Sequence, residues 1–172
     1  MSQTVMIVDD SRPLHALVKV HLGEEDFVYH SAYNGSSALN LVASVKPDLI
    51  LLDVDMPDMN GFDVCRFLKV DPITANIPVI FLTASTSADE KACGLSLQAT
   101  DYITKPFDPD GLVSRVRVAL RSKRLLDLLP ASNIAAAATP DGGPGTNARP
   151  SLSGLLGSRS EIRGVSKPTT PA

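Results

Sequence analysis

Apolar runs and helical stripes alternate along the first three quarters of the chain. Thr4 to Val8 (TVMIV) is a short β-branched run and predicts a first strand. Pro13 follows where a helix tolerates proline, in its first turn. Leu14, Leu17, Val18 and Leu22 then recur at helical spacing, so one face of this helix is expected on the sheet, with Gly23 as its stop. Phe27 to Ala32 predicts a second strand, with Asn34-Gly35 as the turn after it, and Ser36 to Val45 a second helix closed by Lys46-Pro47. Leu49 to Asp53 is apolar on both faces until its last residue, the pattern of a central strand in a covered parallel sheet. Pro57 is expected to end that strand, and Gly61 to supply a backbone angle closed to other residues. A third helix is predicted over 61–70, a fourth strand over 77–82, a fourth helix over 88–95 and a fifth strand over 101–104. The last helix begins near Asp108-Pro109 and carries Leu112, Val113, Val116, Ala119 and Leu120.

Five strand–helix alternations at this spacing imply right-handed crossovers and a parallel α/β sheet covered on both faces. The pattern stops at Pro130. From there to Ala172 the chain holds six Pro and six Gly and no aromatic residue, a composition that does not build a core. The expected organisation is a folded domain over 1–129 and a disordered Pro/Gly/Ala/Ser-rich tail over 130–172, in which Leu152, Leu155, Leu156 and Ile162 form a small apolar island. The tail lacks the periodic apolar segments of a helix-turn-helix or catalytic domain, so output is expected through protein–protein binding. Leu125, Leu126, Leu128 and Leu129, just past the last helical stripe, either pack back on the domain or form an exposed stripe for a partner.

Hydrophobic residues make up 44% of the chain, enough for a real core. Net charge is −3 with no basic run, which gives no case for nucleic acid. Cys65 and Cys93 stand in no ligand spacing and read as reduced thiols. No apolar run at the start is long enough for a signal peptide or membrane span, and a soluble cytoplasmic protein is expected.

The chemistry collects at the carboxyl ends of the predicted strands, where open α/β sheets bind ligands. Asp9-Asp10 ends the first strand, Asp53 the third, Thr83 the fourth and Lys105 the fifth. Taken singly, each has a plain alternative: Asp10 or Ser11 as a helix cap, Thr83 as a turn residue, Lys105 as a solvated charge. Together they form a set suited to a dianionic phosphoryl group. The carboxylates call for a hard divalent cation such as Mg²⁺, Lys105 adds positive charge, Thr83 offers a hydroxyl, and Asp53 is the candidate acceptor. His15, His21 and His30 are expected at the surface or core edge, with no part in this chemistry.

Asp9-Asp10, Asp53 within LLDVDMPDMNG, Thr83-Ala84, Tyr102 and Lys105-Pro106-Phe107 together resemble the receiver domains of two-component response regulators, over about residues 5–125. The resemblance implies a flavodoxin-like fold with strand order 2-1-3-4-5. It implies that Asp53 accepts a phosphoryl group from a histidine kinase or histidine phosphotransfer protein. It implies Mg²⁺ held by Asp10, Asp53 and the backbone carbonyl of Asp55, with Asp9 acting through water. Lys105 and Thr83 are then expected on the phosphoryl oxygens, and Lys105–Pro106 as a cis bond. Thr83 and Tyr102 are expected to move on phosphorylation and remodel the face of helix four, strand five and helix five, for a downstream protein or for a second copy of the chain. Such a protein is a signalling switch, catalysing only its own phosphorylation and dephosphorylation. Two departures stand out: Gln98-Ala99 replaces a usual Gly-Ala pair, and Asp55 is acidic.

Two other readings compete. Asp53-Val54-Asp55 is similar to the paired-aspartate signature of haloacid-dehalogenase-like phosphatases, with Asp55 as general acid. That signature belongs on a first strand, and Asp9-Asp10 would go unexplained. A flavodoxin-type FMN carrier would need a hydroxyl-rich phosphate loop after the first strand, where this chain has two carboxylates.

Overall fold

The computed structural model describes residues 2–23 and 25–129. The tail with its expected disorder, and its apolar island, lies outside the described residues. Strands and helices alternate as β1 Gln3–Val8, α1 Arg12–His21, β2 Phe27–Ala32, α2 Gly35–Val45, β3 Leu49–Asp53, α3 Gly61–Val70, β4 Val79–Thr83, α4 Ala88–Ser96, β5 Asp101–Thr104 and α5 Pro109–Leu128. The five strands are parallel in the order β2-β1-β3-β4-β5, which is the flavodoxin-like order.

Strand alternation divides the core into two layers. Met6, Val8, Ile50, Leu52 and Phe81 face α2 and α3, meeting Ala38, Val42, Val64 and Leu68. Val5, Ile7, Leu49, Leu51, Ile80 and Leu82 face α1 and α5, meeting Val18, Leu22, Leu112, Val116 and Leu120. Every residue of β3 and β4 is buried, so both strands read as apolar runs up to their last residues, Asp53 and Thr83. Among the described residues, no helix is long and apolar enough to cross a membrane.

Several local expectations are corrected. Asn34-Gly35 is not a free turn: Asn34 caps α2, its side-chain oxygen accepting from Ser37 N at 2.7 Å. The β3 ladder ends at Asp53, well before Pro57. Gly61 opens α3 at an ordinary backbone angle, and its need for glycine is proximity instead. A Cβ there would overlap the Asp53 carbonyl oxygen and stand 2.9 Å from Val54 Cα. Strand β4 starts at Val79, two residues later than expected, and Ile77 closes the preceding turn on Thr74 O at 2.9 Å. Leu17 is 44% exposed, although the helical stripe placed it on the sheet. The largest difference is α5, which continues through the basic and leucine-rich segment to Leu128. Leu125, Leu126, Leu128 and Leu129 are all exposed there, so they do not pack back on the domain.

Candidate functional site

Strand register brings the chemistry to one sheet edge. Val8 pairs with Leu52, so Asp9 and Asp53 leave adjacent central strands side by side. Asp53 pairs with Leu82, and Thr83 with Thr104, so Thr83 and Lys105 follow on the next two strands. Carboxylate oxygens of Asp9, Asp10 and Asp53 all lie within 4.8 Å of one another. Asp9 and Asp53 are buried, and Asp10 is exposed at the rim.

Lys105 crosses the sheet edge to answer two of the three charges. Its Nζ donates to Asp9 Oδ2 and to Asp53 Oδ1, each at 2.7 Å. The Lys105–Pro106 bond is cis. Burial pushes the Asp53 carboxyl above its usual range, against the lowering effect of the Lys105 hydrogen bond and charge, and the charges of Asp9 and Asp55 add to the rise. Burial would lower the Lys105 pKa, yet its bonds to Asp53 and Asp9 outweigh that and raise it. The second Asp9 oxygen accepts from Ser11 N at 2.8 Å. Ser11 is therefore held by Asp9 as it opens α1, and its own side chain makes no cap hydrogen bond.

The donor set fits a hard divalent cation. Three carboxylates face one ammonium, so the cluster keeps an excess of negative charge that oxygen-seeking Mg²⁺ suits. The Asp10 carboxylate makes no ion pair among the described residues, while both oxygens of Asp9 are engaged.

The remaining expected residues are not drawn into this cluster. Thr83 is buried, and its Oγ1 accepts from Ser85 N at 3.0 Å, holding its own loop. Asp55 is exposed beyond β3. Tyr102 is turned in against α4: its ring lies 5.1 Å from that of Phe81, and its hydroxyl donates to Glu90 O at 2.9 Å. Burial first, then the nearby Cys93, Cys65 and Glu90, push its phenol up to about 12. A Cβ on Gly94 would overlap this hydroxyl, so a helical glycine makes the seat for the ring.

Three residues with no motif signal shape the site. His15, expected at the surface or core edge, is buried. Its Nε2 lies 2.8 Å from the Asp9 carbonyl and its Nδ1 2.9 Å from Ser31 Oγ, tying the end of β1 to β2. Asp58 accepts from Gly35 N and Ser36 N, both at 3.0 Å, and so pins the loop after Asp53 to the start of α2. Those backbone bonds, with the Ser36 hydroxyl, hold its carboxyl down to about 2. Gly94 is the third. Each acts across a distance in sequence that local pattern does not report.

Comparison with known proteins agrees with this edge. The family model for the response regulator receiver domain matches residues 5–117. The DNA-binding response regulator MtrA of Mycolicibacterium smegmatis is 42% identical over 121 residues, 70% of this chain and 52% of the relative. The response regulator PleD of Caulobacter vibrioides is 42% identical over 129 residues, 75% of this chain and 28% of the relative. The chain thus spans about half the length of MtrA and less of PleD. Among solved structures, the signal receiver domain of a LuxO repressor protein from Vibrio parahaemolyticus superposes with a TM-score of 0.71 at 31% identity, covering 74% of this chain and 97% of that one. Asp53 ends β3, the third strand rather than the first, with Asp9 and Asp10 beside it, so the haloacid-dehalogenase reading loses its footing, as does the flavodoxin reading. Sheet order, strand-end chemistry and the match across both core layers agree, and the chain belongs to the receiver domains of two-component response regulators.

Proposed function

We propose that the chain is a phosphorylation-dependent switch in which Asp53 accepts a phosphoryl group from a histidine kinase or histidine phosphotransfer protein. The observation that carries this reading is the pair of hydrogen bonds that Lys105 Nζ donates to Asp9 and Asp53 inside a cluster of three carboxylates. Lys105 holds Asp53 Oδ1 and leaves the other carboxylate oxygen as the nucleophile. Asp10, Asp53 and the backbone carbonyl of Asp55 would hold Mg²⁺ directly, with Asp9 acting through water. When bound, Mg²⁺ supplies the positive charge that lets an anionic carboxylate meet an anionic phosphoryl group. Lys105 then shares its charge with the phosphoryl oxygens. The Thr83 hydroxyl leaves Ser85 N and donates to the same group, carrying its loop with it. Tyr102 responds from the far end of that loop, and the face of α4, β5 and α5 changes for a downstream protein or a second copy of this chain. The reaction is confined to the chain's own aspartyl phosphate.

The receiver unit is assigned to 1–129 and 130–172 to a separate tail, supported by the family match to residue 117 and by the end of α5 at Leu128. A cytoplasmic place fits a partner kinase of this class.

Acetyl phosphate with Mg²⁺ tests the reading. Intact-mass spectrometry is expected to show one added phosphoryl group, absent in Asp53→Asn because an amide is not a nucleophile. Full labelling of that variant refutes the assignment. Calorimetric titration with Mg²⁺ is expected to show a larger loss of affinity for Asp10→Ala than for Asp9→Ala, and the reverse order refutes the ligand assignment.

A further inference from the structure

The face of α5 turned away from the core has a use that the receiver fold does not absorb. Buried Leu112, Val116, Ala119 and Leu120 define the inner side of the helix. On the opposite side, Ser114, Val118, Arg121, Leu125 and Leu128 follow one another at alternating steps of four and three residues. That is the spacing of a coiled-coil seam. Val118 is 62% exposed, Leu125 61% and Leu128 80%. An apolar line of this kind is not needed to solubilise a helix, and nothing among the described residues covers it.

Charge decides what fits. A second copy laid parallel on this seam would set Arg121 opposite Arg121 at a core position, where like charges repel in a desolvated contact. Arg117 and Arg124, seven residues apart, border the seam on one side. Arg117 is already paired with Glu25, Lys123 with Asp127, and Arg115 with Asp101. No carboxylate among the described residues lies within salt-bridge distance of Arg121 or Arg124. The seam therefore offers leucine and valine knobs with two guanidinium groups that have no ion-pair partner among the described residues, and Arg favours bidentate carboxylate partners.

We propose that the outer face of α5 is a docking seam for an acidic amphipathic helix of a partner protein. The partner presents apolar residues in heptad register, with a Glu or Asp opposite Arg121 and another near Arg124. The seam is separate from the Asp53 edge and its chemistry, so the proposal stands or falls independently of phosphotransfer.

The probe is a synthetic peptide of four heptads with Leu at both core positions and Glu at the flanking ones. One core Leu is replaced by Glu to meet Arg121. A control peptide carries Lys at each of those Glu positions. Binding to the full chain is followed by fluorescence anisotropy of the labelled peptides, at low and high salt. The acidic peptide is expected to bind at least about tenfold more tightly than the basic one, with the preference shrinking as salt rises. Leu125→Ser is expected to abolish binding, and Arg121→Glu with Arg124→Glu to reverse the peptide preference. All three positions are exposed, and a circular dichroism melt confirms that each variant is folded. Equal binding of both peptides, unchanged binding by Leu125→Ser, or no binding of either peptide overturns the proposal. Sedimentation that shows a dimer dissolved by Leu125→Ser overturns it in favour of a second copy.

Discussion

Replacing Gly94 by alanine is expected to destabilise the protein although alanine is the better helix former. Gly94 lies within α4, where Ala is favoured over Gly by about 1 kcal/mol in a helix interior. A methyl built there overlaps the Tyr102 hydroxyl and Cζ and stands 2.8 Å from Cε2, so the ring has to leave its seat. Leaving breaks the hydroxyl bond to Glu90 O, worth about 1 kcal/mol net. It also ends the contact with Phe81, worth about 0.5–1.5 kcal/mol beyond area burial. Re-exposing part of the ring adds about 1 kcal/mol. The net expectation is a loss of about 1.5–2.5 kcal/mol, with the helix propensity gain already subtracted. Urea unfolding of the metal-free full chain, followed by far-ultraviolet circular dichroism, measures it. The decisive comparison is the Tyr102→Ala background, where the seat is empty and Gly94→Ala should stabilise by up to about 1 kcal/mol. A reversal of sign between the two backgrounds is the signature of the contact. Spectrophotometric titration adds a second readout: the Tyr102 phenol, pushed up to about 12 in the wild type, should fall back toward about 10 once the ring is ejected. If Gly94→Ala stabilises the wild type as much as it does Tyr102→Ala, the ring does not depend on the glycine and the reasoning fails.

Three further outcomes follow from the same geometry. Gln98 holds a left-handed conformation with φ 60, so Gln98→Gly is expected to stabilise by about 1 kcal/mol in the same urea assay; a loss would show that its side chain contributes something the backbone does not. Burial raises the Asp53 pKa, so the folded state holds that proton more tightly than the unfolded chain. The contribution of Asp53 to stability is then fully present below its unfolded pKa and lost as pH rises through the higher folded value. Asp53→Asn should therefore raise the metal-free melting temperature at pH 7 by about 2–4 °C, with the gain fading in acid, and a lower melting temperature at pH 7 would contradict this. Asp58 has the opposite sign. With its carboxyl held down to about 2, its contribution is present above the ordinary carboxylate pKa and disappears as pH falls toward 2, so carbon-detected NMR titration should place its midpoint well below the ordinary aspartate value of about 3.9, and a midpoint at that ordinary value would show that the clamp to α2 is not formed in solution.

The sequence by itself determined the alternation of strands and helices and which chemistry-bearing residues stand at the strand ends. Leu49–Asp53 is unbroken because both its faces are covered, and that pattern survives in one dimension. Asp9, Asp10, Asp53, Thr83 and Lys105 were legible because each follows the last residue of an apolar run, or the first after it. Side-chain partnerships depend on strand register and helix rotation, and only the tertiary structure decided those. Lys105 reaches Asp9 across 96 positions and Asp53 across 52. His15 looks like any polar residue on an amphipathic helix until α1 is rotated onto the end of β1, where its ring meets Asp9 O. Gly94 and Gly61 look alike as helix glycines, yet one makes room for a tyrosine and the other for the β3 backbone. The length of α5 was hidden because leucines that continue the helix beyond the sheet lose their buried partner, and with it the one-sided pattern by which an amphipathic helix is recognised.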